Sequence, residues 1–162
     1  CTARGVCSAE ACSCPRCVQY REPEVSQPTG KRVVVIITFR DRWAHWETFR
    51  THFRRFAEES PYGHQYTLVV VEQVDTALFN RGWLFNTGLT LEGTEADCVA
   101  IQDVDALPGK LVNYGDCEYP TQLSSEIECF GWRPPYAHSC GGTVVATPAH
   151  WRAVDGFSNG FR

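Results

Sequence analysis

The residues best placed to do chemistry are Asp103 and Asp105, separated by Val104 and preceded by the apolar run Cys98-Val99-Ala100-Ile101. If the chain stays extended, residues two apart point to the same side, roughly 6.5–7 Å from each other. Two carboxylates at the carboxyl end of a strand, where open α/β sheets bind ligands, suit a divalent cation that takes oxygen ligands and bridges to phosphate. Without a cation or a proton between them they repel. Spacing alone leaves two readings open: a metal site, or a solvated Asp pair at a strand end.

Three further clusters carry chemistry of a matching kind. Thr38-Phe39-Arg40-Asp41-Arg42 follows a β-branched run, and Arg40 and Arg42 alternate onto one side. Planar guanidinium groups hold phosphate well, although arginines also flank helix starts on ordinary surfaces. Phe79-Asn80-Arg81-Gly82 offers a flat ring, an amide and a guanidinium. That mix can stack on and hydrogen-bond a base, or Asn80 can simply cap a helix. Cys140-Gly141-Gly142-Thr143 opens a strand with two glycines, which permit close backbone approach to a ligand or a tight turn.

The elements that must position these residues are legible as periodicities. Val33 to Ile37 and Tyr66 to Val71 read as buried strands, Cys98 to Ile101 as a third strand and Gly142 to Thr147 as a fourth. Trp46, Phe49, Phe53 and Phe56 recur at spacings of three and four, which places them on one helical face against a sheet. Pro61 and Gly63 end that helix, and a second is expected over 78–89. Strands alternating with helices predict an α/β domain with a mostly parallel sheet.

Residues 1–30 differ. Cys1, Cys7, Cys12, Cys14 and Cys17 crowd a segment without apolar periodicity, followed by Pro23, Pro28 and Gly30. It reads as a Cys-rich stem or linker ahead of a domain over 31–162. The spacing of Cys12, Cys14 and Cys17 allows a zinc knuckle, disulfides or a plain stem. The chain has 162 residues, 15 basic and 19 acidic side chains, and a net charge of −4, which argues against a nucleic-acid partner. Hydrophobic residues at 43% and aromatics at 12% suffice for a packed core. No apolar run approaches the roughly 20 residues of a membrane span, and no signal peptide is evident. A chain that starts at Cys1 and has no Met reads as a fragment or a processed product. Nine cysteines point to an oxidising lumen or the exterior, and an odd count leaves at least one thiol free or paired outside the chain.

In order and spacing the clusters resemble the beta-1,4-galactosyltransferases. The match runs through Phe39-Arg40-Asp41-Arg42, Glu72-Gln73, Phe79-Asn80-Arg81, Asp103-Val104-Asp105, Phe130-Gly131-Trp132 with Pro135-Tyr136, Gly141-Gly142 and Asp155-Gly156-Phe157-Ser158-Asn159. It covers roughly residues 32 to 161, about four-fifths of the chain. The resemblance implies a GT-A-like nucleotide-sugar-binding fold. It also implies manganese (Mn2+) as cofactor and inverting transfer of galactose from UDP-galactose to a sugar hydroxyl of a glycan acceptor. Asp105 would be the metal ligand, Asp103 would lie against the donor sugar and Val104 beside the nucleotide. Phe39, Arg40, Arg42, Phe79 and Arg81 would hold uridine and diphosphate, with Gly142 also at the donor. Cation and guanidinium groups would stabilise charge on the departing UDP while a carboxylate base helps the attacking hydroxyl.

The resemblance also implies a Cys98–Cys117 disulfide, against the simpler reading of Cys98 as a small buried strand residue. Family members continue into Trp-Gly-Trp-Gly and Glu-Asp-Asp and a later metal-binding His. The chain is therefore expected to be incomplete at the C-terminus, with the base beyond Arg162. Ser139 stands where many members carry a bulky Tyr, which raises N-acetylgalactosamine transfer as an alternative. A non-catalytic nucleotide-sugar or glycan-binding member of the fold is a second alternative. Cys129 replaces a Lys that approaches the phosphates in some members. Full-length relatives sit in the Golgi lumen on one N-terminal membrane anchor, which would precede Cys1.

Overall fold

The computed structural model describes residues 30–92, 95–134, 136 and 141–159. The expectations for the Cys-rich stem, its Cys12, Cys14 and Cys17 knuckle, and Ser139 lie outside these residues.

Strand β1 (Arg32–Phe39) leads into helix α1 (Trp43–Glu59), strand β2 (Gln65–Glu72), helix α2 (Arg81–Glu92) and strand β3 (Cys98–Gln102). After them come the short strands β4 (Thr121–Gln122) and β5 (Val144–Ala146) and helix α3 (Pro148–Ala153). The sheet order is β2-β1-β3-β5-β4. Strand β1 pairs in parallel with β2 over eight residues and with β3 over five. The parallel character expected from the sequence thus holds for the long strands. Strand β5 adds to β3, and β4 to β5, in the antiparallel sense, so the sheet is mixed.

Alternation along β1 distributes its side chains to two cores. Val33, Val35, Ile37 and Phe39 pack with Phe49, Phe53 and Phe56 of α1 and with Tyr114. Val34 and Ile36 face Phe85 of α2 and Trp151 of α3. The sheet is therefore sandwiched between α1 on one face and α2 with α3 on the other. The Trp151 Nε1–H is satisfied by the Val99 carbonyl at 3.0 Å.

This layering decides where a ligand can sit. From β1 the chain crosses over α1 to β2 on one side, then returns over α2 to β3 on the other side of β1. The direction of winding reverses between β1 and β3, and the crevice outside their carboxyl ends is the binding position of open α/β sheets. Residues 40–42 leave β1 there, and residues 103–105 leave β3.

Three sequence expectations are corrected. Strand β2 is an edge strand with alternating, half-buried side chains rather than a fully buried one; a short apolar run does not distinguish the two. Helix α2 starts at Arg81, not at 78, because the Asn80 side chain accepts from the Trp83 N–H at 3.0 Å and caps it. The fourth strand is only Val144–Ala146, since Gly142 adopts φ +71°.

Cys98 and Cys117 form a disulfide, with Cα atoms 5.8 Å apart. Closing 19 residues of sequence separation in this way stabilises by about 3 kcal/mol in the chain-entropy model. Cys129 is free and exposed. Among the described residues no helix is long and apolar enough to cross a membrane.

Candidate functional site

Strand β3 ends at Gln102, and the chain turns at once: the Ala106 N–H donates to the Asp103 carbonyl at 3.1 Å. Asp103 and Asp105 therefore share a neighbourhood through a turn and not through extended alternation. Gln102 builds that turn. It is fully buried; its Nε2 donates to the Asp103 carbonyl at 2.9 Å and the Ala106 carbonyl at 2.7 Å. Its Oε1 accepts from the Tyr114 hydroxyl at 2.6 Å and the Thr143 hydroxyl at 2.9 Å. Burial holds the Tyr114 hydroxyl protonated, with its pKa raised, so it stays a donor. The amide thus has four partners drawn from the 103–106 turn, the loop at Tyr114 and the approach to β5. Sequence reading passed over Gln102; the available signal was a polar residue closing an otherwise apolar strand just ahead of two acids.

Each acid meets a guanidinium from a different element. Asp103 Oδ1 lies 2.8 Å from Arg81 Nη2, at the first residue of α2. The same nitrogen donates to the Gly142 carbonyl at 3.1 Å, so Arg81 ties the tips of β3 and β5 together. Burial, with help from the nearby Asp105, holds the Asp103 carboxyl above its ordinary pKa despite the opposing pull of Arg81. Arg81 Nε is buried and has no hydrogen-bond partner among the described residues, an unspent donor beside the acids. Asp105 Oδ2 lies 3.1 Å from Arg42 Nη1, with both side chains about half exposed (52% and 55%). An ion pair that open to water is worth less than about 1 kcal/mol, so both partners are available to a ligand. Next to Asp105 an open cleft of about 210 Å³ is lined by Ala44, His45, Thr48, Val104 and Leu107.

Alternation does not set the directions of Arg40 and Arg42 either. Asp41 takes a left-handed backbone, φ 52°, and breaks the extended run. Arg40 turns to the 77–79 loop, where Nη1 donates to the Ala77 carbonyl at 2.6 Å and the guanidinium carbon sits 5.3 Å from the Phe79 ring centroid. Gln73, also buried, shapes that loop: its Oε1 accepts from the Asn80 N–H at 2.9 Å, and its Nε2 donates to Asp75 Oδ1 at 2.7 Å and the Leu78 carbonyl at 3.1 Å.

The remaining residues singled out in the sequence divide by burial. Phe39 is 1% exposed and edge-on to Trp43 at 4.8 Å, and Val104 is 6% exposed. Their side chains pack in the core, although Val104 also borders the cleft beside Asp105. Gly142 makes a tight turn against Ser124, whose hydroxyl accepts from the Thr143 N–H at 3.0 Å. Arg42, Arg81, Asp103 and Asp105 are thus gathered at the β1/β3 tips in two pairs, while Arg40 and Phe79 form a separate pair at the 77–79 loop that follows β2.

A family model of the N-terminal region of glycosyl transferase group 7 matches residues 14–118. The chain belongs to the beta-1,4-galactosyltransferase family. It is 32% identical over 142 residues to beta-1,4-galactosyltransferase 6 of Rattus norvegicus, a match covering 86% of this chain and 36% of that protein. With beta-1,4-galactosyltransferase 5 of Homo sapiens it shares 31% over 143 residues, with the same coverage. The chain therefore spans about a third of the length of these curated galactosyltransferases. The catalytic domain of Drosophila beta1,4galactosyltransferase 7, solved with xylobiose, superposes with a TM-score of 0.68 at 26% identity, covering 81% of this chain and 55% of that one. A variant of that Drosophila enzyme, solved with manganese, UDP-Gal and xylobiose, superposes at 0.67 with 28% identity and the same coverage.

The galactosyltransferase relationship raises manganese as a test of the residues present. Asp105 fits: it offers a hard carboxylate oxygen, half exposed, on a weak ion pair. Among the described residues no three His, Cys, Asp or Glu side chains converge as a metal-binding group. Asp105 thus fits as one metal ligand, and any further ligands would have to come from a substrate or from outside the described residues.

Proposed function

We propose that this chain carries the donor-binding part of a manganese-dependent inverting glycosyltransferase. The full protein would move galactose from UDP-galactose to a sugar hydroxyl of a glycan, forming a beta-1,4 linkage. The observation that carries this reading is the pairing of Asp103 with Arg81 and Asp105 with Arg42 at the point where the sheet reverses its winding. Such a site has two guanidinium groups for a diphosphate and two carboxylates for a cation and a sugar hydroxyl. The presence of manganese and UDP-Gal in the Drosophila relative supports it.

The roles follow from chemistry. A divalent cation at Asp105 would add positive charge where the departing diphosphate builds negative charge. Arg42, released from its weak pair, donates to phosphate oxygens that gain charge as the glycosidic bond breaks. Arg40 and Phe79 form a flat cationic edge against which a uracil ring can lie. Asp103, fixed by Arg81, accepts a hydrogen bond from a donor-sugar hydroxyl. Gln102 and Gln73 hold both loops rigid, so little reorganisation is required as charge develops. The hydroxyl proton of the acceptor passes to a carboxylate base, which we place beyond Arg162. Residues 1–30 are then a stem ahead of the catalytic domain, and the Cys98–Cys117 disulfide suits a Golgi-lumen address.

The test is a turnover assay of the full-length protein with Mn2+, a panel of sugar acceptors, and UDP-galactose against UDP-N-acetylgalactosamine. Galactose transfer with inversion, lost on chelation, is the expected result. A strong preference for the N-acetylated donor, or no transfer to any acceptor, contradicts it.

A further inference from the structure

One set of contacts on α2 is not used by the donor site. Asn86 stands in mid-helix, where Asn is a poor helix former, and its amide reaches a turn more than 70 residues later. Its Nδ2 donates to the Phe157 carbonyl at 2.7 Å and to Asn159 Oδ1 at 2.9 Å, and its Oδ1 accepts from the Phe157 N–H at 2.9 Å. Asn80 completes the attachment, with Nδ2 donating to the Asn159 carbonyl at 3.0 Å while Oδ1 caps α2.

Two glycines permit the approach. Gly156 has φ +65°, and a Cβ there would collide with the Asn86 amide. A Cβ on Gly82 would lie 2.9 Å from the Ser158 carbonyl oxygen and 3.1 Å from Phe157 Cβ. The Phe157 ring stands edge-on to Phe85 at 5.1 Å, which anchors the turn. Asn159 therefore bridges Asn86 to Asn80, and the next residue after Asn80 is Arg81, whose Nη2 holds Asp103 and the Gly142 carbonyl.

We infer that Asn86 is a positioning residue: through Asn159 and Asn80 it fixes the first turn of α2, and with it the Arg81 guanidinium at the β3 tip. The inference rests on the donor role proposed for Arg81. A relay has a property that independent loop contacts lack, because cutting it twice costs no more than cutting it once.

The experiment titrates UDP calorimetrically into the full-length protein in Mn2+, for the unsubstituted chain, Asn86→Ala, Asn80→Ala and the double variant. Asn86→Ala is expected to weaken UDP by about 5–20-fold, and the double variant to bind within about twofold of Asn80→Ala alone. Hydrogen exchange at the Trp83 amide should quicken by about tenfold in Asn86→Ala while β1 and β3 keep their rates. Multiplying effects, or an unchanged UDP affinity in folded Asn86→Ala, overturns the inference. If Asn86→Ala does not fold, Asn159→Ala removes only the side-chain link; a loss of about 2–4-fold supports the relay and no loss overturns it. If the unsubstituted protein binds no UDP, the donor reading falls separately. The Trp83 amide then decides whether the relay reaches the first turn: faster exchange supports it and an unchanged rate overturns it.

Discussion

At Asp105 a half-exposed carboxylate faces a half-exposed guanidinium, whereas Asp103 and Arg81 meet at 2.8 Å in a more enclosed place. The two acids therefore differ in setting: one is free to change partners and the other is held. Removing Arg81 strips Asp103 of its counterion and removes one of the ties between the tips of β3 and β5. Arg81→Ala should raise the Michaelis constant for the donor about 10–100-fold, as expected for a lost charge-assisted hydrogen bond, and leave that for the acceptor nearly unchanged. Steady-state kinetics with each substrate varied in turn checks this; equal effects on both contradict it. Gln102 sets the turn under both acids. Gln102→Leu leaves two carbonyls and two hydroxyls without their buried partner and should destabilise the fold by about 2–4 kcal/mol, read from urea denaturation.

At the scale of elements, α2 is the link between the sheet and the site. It lies close on β1 and β2 because Gly88 has no side chain: a Cβ there would fall 2.7 Å from Ile36 Cγ2 and 3.0 Å from Val71 Cγ2. Both neighbours are β-branched and cannot swing aside. Gly88→Ala should cost about 1–3 kcal/mol by overpacking, measurable as a lower urea midpoint, and should also weaken donor binding as the start of α2 is pushed outward. Much of this layer could be read from the chain. The aromatic stripe of α1 is readable because its spacing of three and four matches a helix, and the run at 33–37 because five consecutive β-branched residues favour a strand. The clustering of arginines and acids was also legible, but its geometry was not. The turn at 103–106 is held by hydroxyls from Tyr114 and Thr143, the latter 41 residues away, and Asp41 bends residues 40–42 out of register. Such distant contacts leave no local period. Strand β2 was misjudged for a related reason: its composition matches a buried strand, while its edge position follows from the order of the whole sheet.

Across the molecule, the core on the α1 face is rich in tyrosine and phenylalanine, and burial pushes the Tyr66 hydroxyl up to about 12. The folded state therefore keeps a proton that the unfolded chain loses near pH 10. The stability this supplies is complete below pH 10 and is lost as the pH rises toward 12. Urea midpoints should fall across that interval, and less steeply for Tyr66→Phe. The same framework brings the ends of β1 and β3 together at the reversal of winding, with Arg42 and Asp105 facing each other across it. On the proposed reading this crevice binds a nucleoside diphosphate through a cation on Asp105. The most direct measurement is calorimetric titration of UDP into the full-length protein with Mn2+ and after chelation, for the unsubstituted chain and Asp105→Ala. Binding should weaken about tenfold or more on chelation in the unsubstituted protein, and Asp105→Ala should bind UDP weakly and alike under both conditions. An Asp105→Ala protein that keeps full, Mn2+-dependent affinity for UDP would contradict the account.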